Sequence, residues 1–280
     1  MPLLFGPAGV PHSAKKDTPE EGVRQCAALG LGCMELEFVY GVRMSAKSAE
    51  AVWDVQKATG VQLTAHGPYY INLASKEKDK LIASRGRVLD TARRCFQCGG
   101  RSITFHAAFF QGREREQVLQ MVALELKAVL ARLKKEKITM DVRPELTGKP
   151  SQVGSLDDLL WLGKAVPGIL PTIDFAHFYA REAGRYNKYE DFCRVLEIVA
   201  KAFGKGVLKN MHIHLSGIEY TSKGERRHLN LEDSGFNWKD CLRAFADYGL
   251  EGFVICESPS LEKDALLLQE TYRKFAGRKR

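Results

Sequence analysis

The sequence predicts an α/β protein folded as a single-domain (β/α)8 TIM barrel. Three observations carry this prediction. Eight short apolar or β-branched runs are spread along the chain, stretches with apolar residues at helical spacing separate them, and no early run is followed by a glycine-rich phosphate fingerprint. Alternating strand and helix signals mean parallel strands with helical crossovers, and eight such units are the number that closes a barrel. An open doubly wound sheet would place a GxGxxG turn after an early strand. The length of 280 residues suits one barrel, for which about 250 is ordinary.

In order, the predicted strands are Leu3–Phe5, Met34–Val39, Val61–Ala65, Ser102–Phe105, Ile138–Val142, Leu170–Ile173, Met211–Leu215 and Gly252–Cys256. Helical periodicity is plainest over Gln117–Lys135, Tyr189–Ala202 and Leu261–Phe275, where charges fill the positions between apolar ones. Asp17-Thr18-Pro19-Glu20-Glu21 supplies a capping residue, an early proline and first-turn acids, and Ser155-Leu156-Asp157-Asp158 is a second helix start. Gly30-Leu31-Gly32, Cys98-Gly99-Gly100 and Tyr248-Gly249 supply the glycines that end helices. No linker, low-complexity segment or longer repeat interrupts this order, so residues 1–280 read as one domain.

Composition narrows the class. Hydrophobic residues are 45% and charged residues 27%, enough for a large core and unlike a disordered chain. A net charge of +8 and a pI near 9.1 favour an anionic partner, nucleic acid being the commonest, although a solvated basic surface gives the same figures. The basic end Arg278-Lys279-Arg280 reads as a solvated terminus. Seven cysteines without the dense spacing of a secreted scaffold point to a reduced, intracellular (cytoplasmic) chain. Cys95 and Cys98 form a lone CxxC, which lacks the second pair of a zinc finger and reads as structural. No apolar run approaches the ~18–20 residues that span a bilayer.

The ends of the predicted strands carry the chemistry. His66, His106, Glu145, Asp174, His212 and Glu257 close the third to the eighth strand. In a barrel the C-terminal strand ends converge on one mouth, so residues distant in sequence share a pocket. One such histidine is ordinarily a hydrogen-bonded core residue; six ligand-type residues on consecutive strands are a metal site. Imidazole with carboxylate and no thiolate suits zinc, manganese or iron. Three histidines and three acids exceed the needs of one tetrahedral ion, so at least two ions are expected, with Glu145 placed to bridge them. Two-metal sites serve phosphodiester hydrolysis, and sugar isomerisation also uses paired metals. His177, one turn after Asp174, His214, two residues after His212, and His228, in the Gly217–Trp238 segment, can hold a further ion or orient the other ligands.

With these residues in view, the chain resembles the endonuclease IV family over nearly its whole length. The resemblance rests on His66-Gly67-Pro68-Tyr69-Tyr70-Ile71-Asn72-Leu73-Ala74, Thr104-Phe105-His106, Pro144-Glu145, Ile173-Asp174-Phe175-Ala176-His177, Met211-His212 and Cys256-Glu257. It implies a zinc-dependent apurinic/apyrimidinic endonuclease that hydrolyses the phosphodiester 5′ to abasic sites in double-stranded DNA during base excision repair, with 3′-end trimming as a further activity. It implies a three-zinc centre: His66 and His106 on one ion, Glu145 as bridge, Asp174, His212 and Glu257 on the second, His177 and His228 on the third. Manganese is the alternative metal, and a monomer is the expected state. The family's Asp-Arg-His reads Glu225-Arg226-Arg227-His228 here, so the third site draws on Glu225 after a small loop shift, or on His214. Tyr69 matches a family tyrosine that enters the minor groove, Tyr70 stands beside it as a wedge, and Arg43 is a further DNA contact. The competing reading is a sugar isomerase or epimerase of the xylose isomerase-like barrels.

Overall fold

The computed structural model describes residues 2–277, so the basic end Arg278-Lys279-Arg280 lies outside the described residues. Eight parallel strands form the barrel: Leu3–Pro7, Cys33–Glu37, Gln62–His66, Ser102–Phe105, Asp141–Pro144, Ile173–Asp174, Met211–Leu215 and Gly252–Cys256. They are called the first to eighth strands below. Strands one, eight, seven and six pair in that order, as do two, three, four and five. Parallel bridges Ala8↔Glu35, Val142↔Ile169 and Glu145↔Thr172 close the two seams into a ring. The TIM barrel expected from the alternation is what forms.

The strands keep strict alternation. Met34 and Leu36, Leu63 and Ala65, Ile103 and Phe105, and Met211, Ile213 and Leu215 point outward into the main apolar core beneath the helices. The intervening residues point into the barrel, and most are polar: Glu35, Thr64, His66, Ser102, Thr104, Arg143, Glu145, Thr172, Asp174, His212 and His214 are all buried. Barrels are usually filled with branched apolar side chains. Here, among the described residues, the separate apolar cluster inside the barrel is small: Cys33, Phe253 and Ile255, with Leu4 and Ala8 packed against it.

Local signals explain the helices. Pro19 opens the helix Pro19–Ala28, although the Thr18 side chain makes no capping bond. Ser155 and Asp158 form a reciprocal capping box on Leu156–Ala165. The three helices read from periodicity occupy Arg115–Lys135, Tyr189–Phe203 and Glu262–Ala276, within two residues of the expected ends. The fifth strand begins three residues later than predicted, at Asp141; Ile138-Thr139-Met140 are irregular backbone between the Glu136–Lys137 turn and the strand. The Gly217–Trp238 segment is not a plain loop: Gly217–Thr221 and Gly224–Leu229 pair as an antiparallel hairpin. All seven cysteines are free, Cys95 and Cys98 being buried at a helix end. Among the described residues no helix is long and apolar enough to cross a membrane.

Candidate metal centre

Three ligand clusters meet at the C-terminal mouth of the barrel. His66, His106 and Glu145 make the first, Glu145, Asp174, His214 and Glu257 the second, and His177, Glu225 and His228 the third. Glu145 joins the first two. Its Oε2 lies 3.0 Å from His66 Nε2 and 3.4 Å from His106 Nε2, while Oε1 lies 3.2 Å from His177 Nδ1 and 3.4 Å from His214 Nδ1. In the second cluster His214 Nδ1 is also 3.3 Å from Glu257 Oε1. In the third, His177 Nε2 is 3.4 Å and His228 Nε2 is 4.0 Å from the Glu225 carboxylate.

Neighbouring acceptors orient several of these rings. His66 Nδ1 sits 2.7 Å from the Gly67 carbonyl, His177 Nδ1 3.1 Å from the Leu146 carbonyl, and His228 Nδ1 2.7 Å from Ser216 Oγ. A carbonyl can only accept, so the first two rings carry a hydrogen on Nδ1 and turn Nε2 to their clusters. Asp174 Oδ1 accepts the His177 amide at 2.7 Å, which leaves Oδ2 for the centre.

The donor atoms fit divalent ions. Glu145 Oε1, Asp174 Oδ2, His177 Nε2, His214 Nδ1 and Glu257 Oε2 are buried and have no hydrogen-bond partner among the described residues. Leaving one such atom unpaired costs about 1–3 kcal/mol, and more for charged groups. Cations at the three clusters satisfy all five.

Charge tells the same story. Burial alone would raise the Glu145 carboxyl, but His106 and His214 override it and hold it well below the usual range. Glu257 is likewise held down by His214 against burial. Asp174 is pushed well above the usual range by burial, with Glu257 and Glu145 adding repulsion that His177 only partly offsets. Glu37, orphaned at Oε1, is raised to about 8 by burial, with His66 opposing and Glu35 and Glu257 assisting. The acids of the mouth cannot all be ionised together without added positive charge. His66, despite burial, is raised to about 9 by its contact with Glu145.

The placement of the expected residues differs at two points. His212 lies one pleat below the mouth, with Nε2 3.0 Å from Glu35 Oε2, while His214 takes the place in the second cluster expected for His212. The seventh strand runs on to Leu215, so His214 and not His212 stands at its C-terminal end. His214 therefore stands with Glu145, Asp174 and Glu257, and not beside His177, Glu225 and His228.

That third cluster uses Glu225, and the reason is a β-bulge. The hairpin pairs Glu219 with Arg227 but Tyr220 with Glu225, so Arg226 is an extra residue. Residues three apart face opposite sides of a regular strand; one bulged residue restores the parity and turns Glu225 and His228 the same way. Arg226 points outward and pairs with Glu219 at 2.5 Å. Gly148 makes room, since a Cβ there would lie 2.5 Å from Glu225 Cβ and 3.0 Å from His177 Cδ2.

Tyr69, Tyr70 and Arg43 lie on the rim and not in the clusters. Tyr69 is 45% exposed and packs on His66 and His106, with ring centroids 5.2 and 5.7 Å apart. Tyr70 is 49% exposed, and the Arg87 guanidinium stacks 4.5 Å from its ring centre. Arg43 is exposed in the segment after the second strand. Beside the mouth, Tyr40, Tyr69, Tyr70, Lys76, Lys80 and Arg87 contribute to a cavity of about 820 Å³.

Glu35 and Glu37 were missing from the expected set. The signal was present: Glu35-Leu36-Glu37 alternates as Thr64-Ala65-His66 does, and only the end of the run was misplaced.

Comparison with known proteins agrees with this architecture. The family model described as xylose isomerase-like TIM barrel matches residues 23–275. An uncharacterized protein of Methanocaldococcus jannaschii is 42% identical over 273 residues, covering 98% of each chain. Endonuclease IV from Thermus thermophilus superposes with a TM-score of 0.75 at 19% identity, covering 98% of this chain and 99% of that one. A D-tagatose 3-epimerase-like protein superposes with a TM-score of 0.76 at 16% identity, covering 100% and 99%. At such identities these two structures speak for the fold alone.

Proposed function

Because the chain belongs to the xylose isomerase-like TIM-barrel family, we propose that it is a metal-dependent endonuclease that hydrolyses the DNA phosphodiester 5′ to abasic sites in base excision repair. The observation that carries this reading is the third cluster: His177, Glu225 and His228 extend a compact two-cluster site into a row of three at one mouth. Hydrolysis of a phosphodiester needs charge stabilisation on its attacking, non-bridging and leaving oxygens. The protein acts as a single domain and a monomer inside the cell, and trims blocked 3′ ends at the same site.

Divalent ions held by these residues, zinc by preference for the imidazole-rich donors and manganese in its place, supply Lewis acidity and lower the pKa of bound water. Glu145, His66 and His106 would hold an ion at one end, Glu145, Asp174, His214 and Glu257 one in the middle, and His177, Glu225 and His228 one under the hairpin. Tyr69 roofs the first cluster and keeps bulk water from His66 and His106. Tyr70, braced by Arg87, is a wedge that fills the gap left when an abasic nucleotide leaves the stack. Arg43, Lys76 and Lys80 line the approach, where they contact backbone phosphates without reading sequence.

The test is incision of a duplex with one abasic-site analogue by zinc- or manganese-loaded protein, expected 5′ to the lesion and abolished by chelation. A protein that carries its ions and leaves the duplex intact with zinc, manganese and cobalt overturns the reading. A sugar epimerase is the second reading. It is favoured by the Glu145, Asp174, His214 and Glu257 cluster, which by itself is a complete one-ion site, and ketose epimerisation by the same preparation tests it.

A further inference from the structure

We propose that a buried chain of side chains through the barrel, Arg143–Ser102–His212–Glu35, fixes His214 with a bare Nδ1 facing the mouth, making Glu35 the positioning residue for that ligand. The inference rests on the metal-centre part of the proposed function and is independent of the substrate.

All five side chains are fully buried. Arg143 Nε donates to Ser102 Oγ at 2.9 Å, and a guanidinium has no acceptor to offer in return. The Ser102 hydroxyl hydrogen is thus free to point at His212 Nδ1, 2.9 Å away. His212 then carries its hydrogen on Nε2, 3.0 Å from Glu35 Oε2. The Glu35 carboxylate can only accept; Thr64 Oγ1 also donates to Oε2, at 2.6 Å. Its Oε1 lies 3.0 Å from His214 Nε2, so the hydrogen between them belongs to His214. The remaining ring nitrogen, Nδ1, is left bare 3.3 Å from Glu257 Oε1 and 3.4 Å from Glu145 Oε1.

The hydrogens of Arg143, Ser102 and His212 point towards the mouth and that of His214 points back, so both directions converge on the Glu35 carboxylate, and Arg143 itself is anchored. Its Nη1 donates to the Pro171 carbonyl at 3.1 Å, and Nη2 to Asp141 Oδ2 at 2.8 Å and the Asn210 carbonyl at 2.9 Å. A carboxylate behind a ligating imidazole orients the ring and raises its basicity.

A competing arrangement places another ion among Glu35, His212 and His214, whose donor atoms converge. Glu35 Oε1 and both Nε2 atoms lack well-aligned hydrogen bonds despite the 3.0 Å separations. That ion would take His214 Nε2 while the second cluster takes Nδ1, so the ring would lose both hydrogens. The chain of 3.0 Å contacts, with one hydrogen on each Nε2, needs no such loss.

The experiment compares wild type, Glu35→Gln and Ser102→Ala by cobalt and zinc competition against a chelator, ions bound per chain, and imidazole ¹⁵N shifts. The zinc-loaded wild type is expected to show His214 with its hydrogen on Nε2 and none on Nδ1. Glu35→Gln is expected to lose roughly ten- to a hundredfold in affinity for the ion of the second cluster, with a changed cobalt absorption spectrum. Ser102→Ala touches no ligand and keeps the proposal testable if the glutamine variant misfolds; it is expected to mix the His212 tautomers and weaken the same ion less. Wild-type affinity and cobalt spectrum in both variants overturn the proposal, as does an extra ion lost with Glu35. A wild type that binds no metal sinks the metal-centre reading instead, and the His212 tautomer of that protein still decides whether the chain of hydrogen bonds exists.

Discussion

Replacing Glu145 by glutamine removes one negative charge and leaves the shape of the site intact. Four imidazoles lie 3.0–3.4 Å from its two oxygens, so the substitution acts on every cluster at once. Two unit charges about 4 Å apart are worth about 4 kcal/mol at an effective dielectric constant near 20. At 1.4 kcal/mol per factor of ten, that is on the order of a thousandfold in affinity for each ion the carboxylate touches. Two effects reduce it. The glutamine carbonyl still offers one ligand atom, and loss of the Glu145 charge relieves the repulsion that burial adds to at Asp174. The expected outcome is about a hundredfold weaker binding of the ions of the first and second clusters, and loss of incision by a larger factor. Chelator competition and ion counting read the first; cleavage of an abasic-analogue duplex reads the second. A folded glutamine variant that binds the wild-type number of ions with wild-type affinity refutes the bridging role and the electrostatics behind it.

Other outcomes follow from the same geometry. Glu225→Ala should remove one ion from the loaded protein while Arg226→Ala leaves the count unchanged, because the bulge aims only Glu225 at His177; the reverse result sinks the bulge argument. Tyr69→Ala and Tyr70→Ala should weaken binding to an abasic duplex by roughly tenfold, as base–aromatic contacts are worth about 1–3 kcal/mol, without altering metal content. Undiminished affinity would place both rings outside the interface. The chelated protein should lose thermal stability as pH rises from about 6.5 through about 9. His66, raised to about 9, and Glu37, raised to about 8, hold their protons more tightly folded than unfolded, and that contribution is complete only below their unfolded values. Saturating zinc would displace the His66 proton, so the loaded protein should lose the His66 part of this decline; melting temperatures across the range read both, and a chelated protein that gains stability over it contradicts the assignment.

Much of this molecule is written in local pattern. The short apolar or β-branched runs and the amphipathic stretches between them were enough for eight strands, their parallel sense and closure into a barrel, since each depends on residues a few positions apart. The same reading brought His66, His106, Glu145, Asp174 and Glu257 to one mouth, because a barrel sends every strand's C-terminal end to the same face. Only the tertiary structure decided the rest. The seventh strand has the expected bounds Met211–Leu215, and His212 and His214 lie one pleat apart on the same face; what selects His214 is that Glu145 and Glu257, from other strands, meet it at the mouth. Glu225 enters the third cluster because cross-strand pairing with Tyr220 and Glu219 forces Arg226 into a bulge, an event set by the partner strand. Glu35 gains its place from across the barrel, where Arg143, Ser102 and His212 supply the hydrogens and directions that no single strand contains. Alternation fixes which way a side chain points; what it meets there is decided by the closure of the ring.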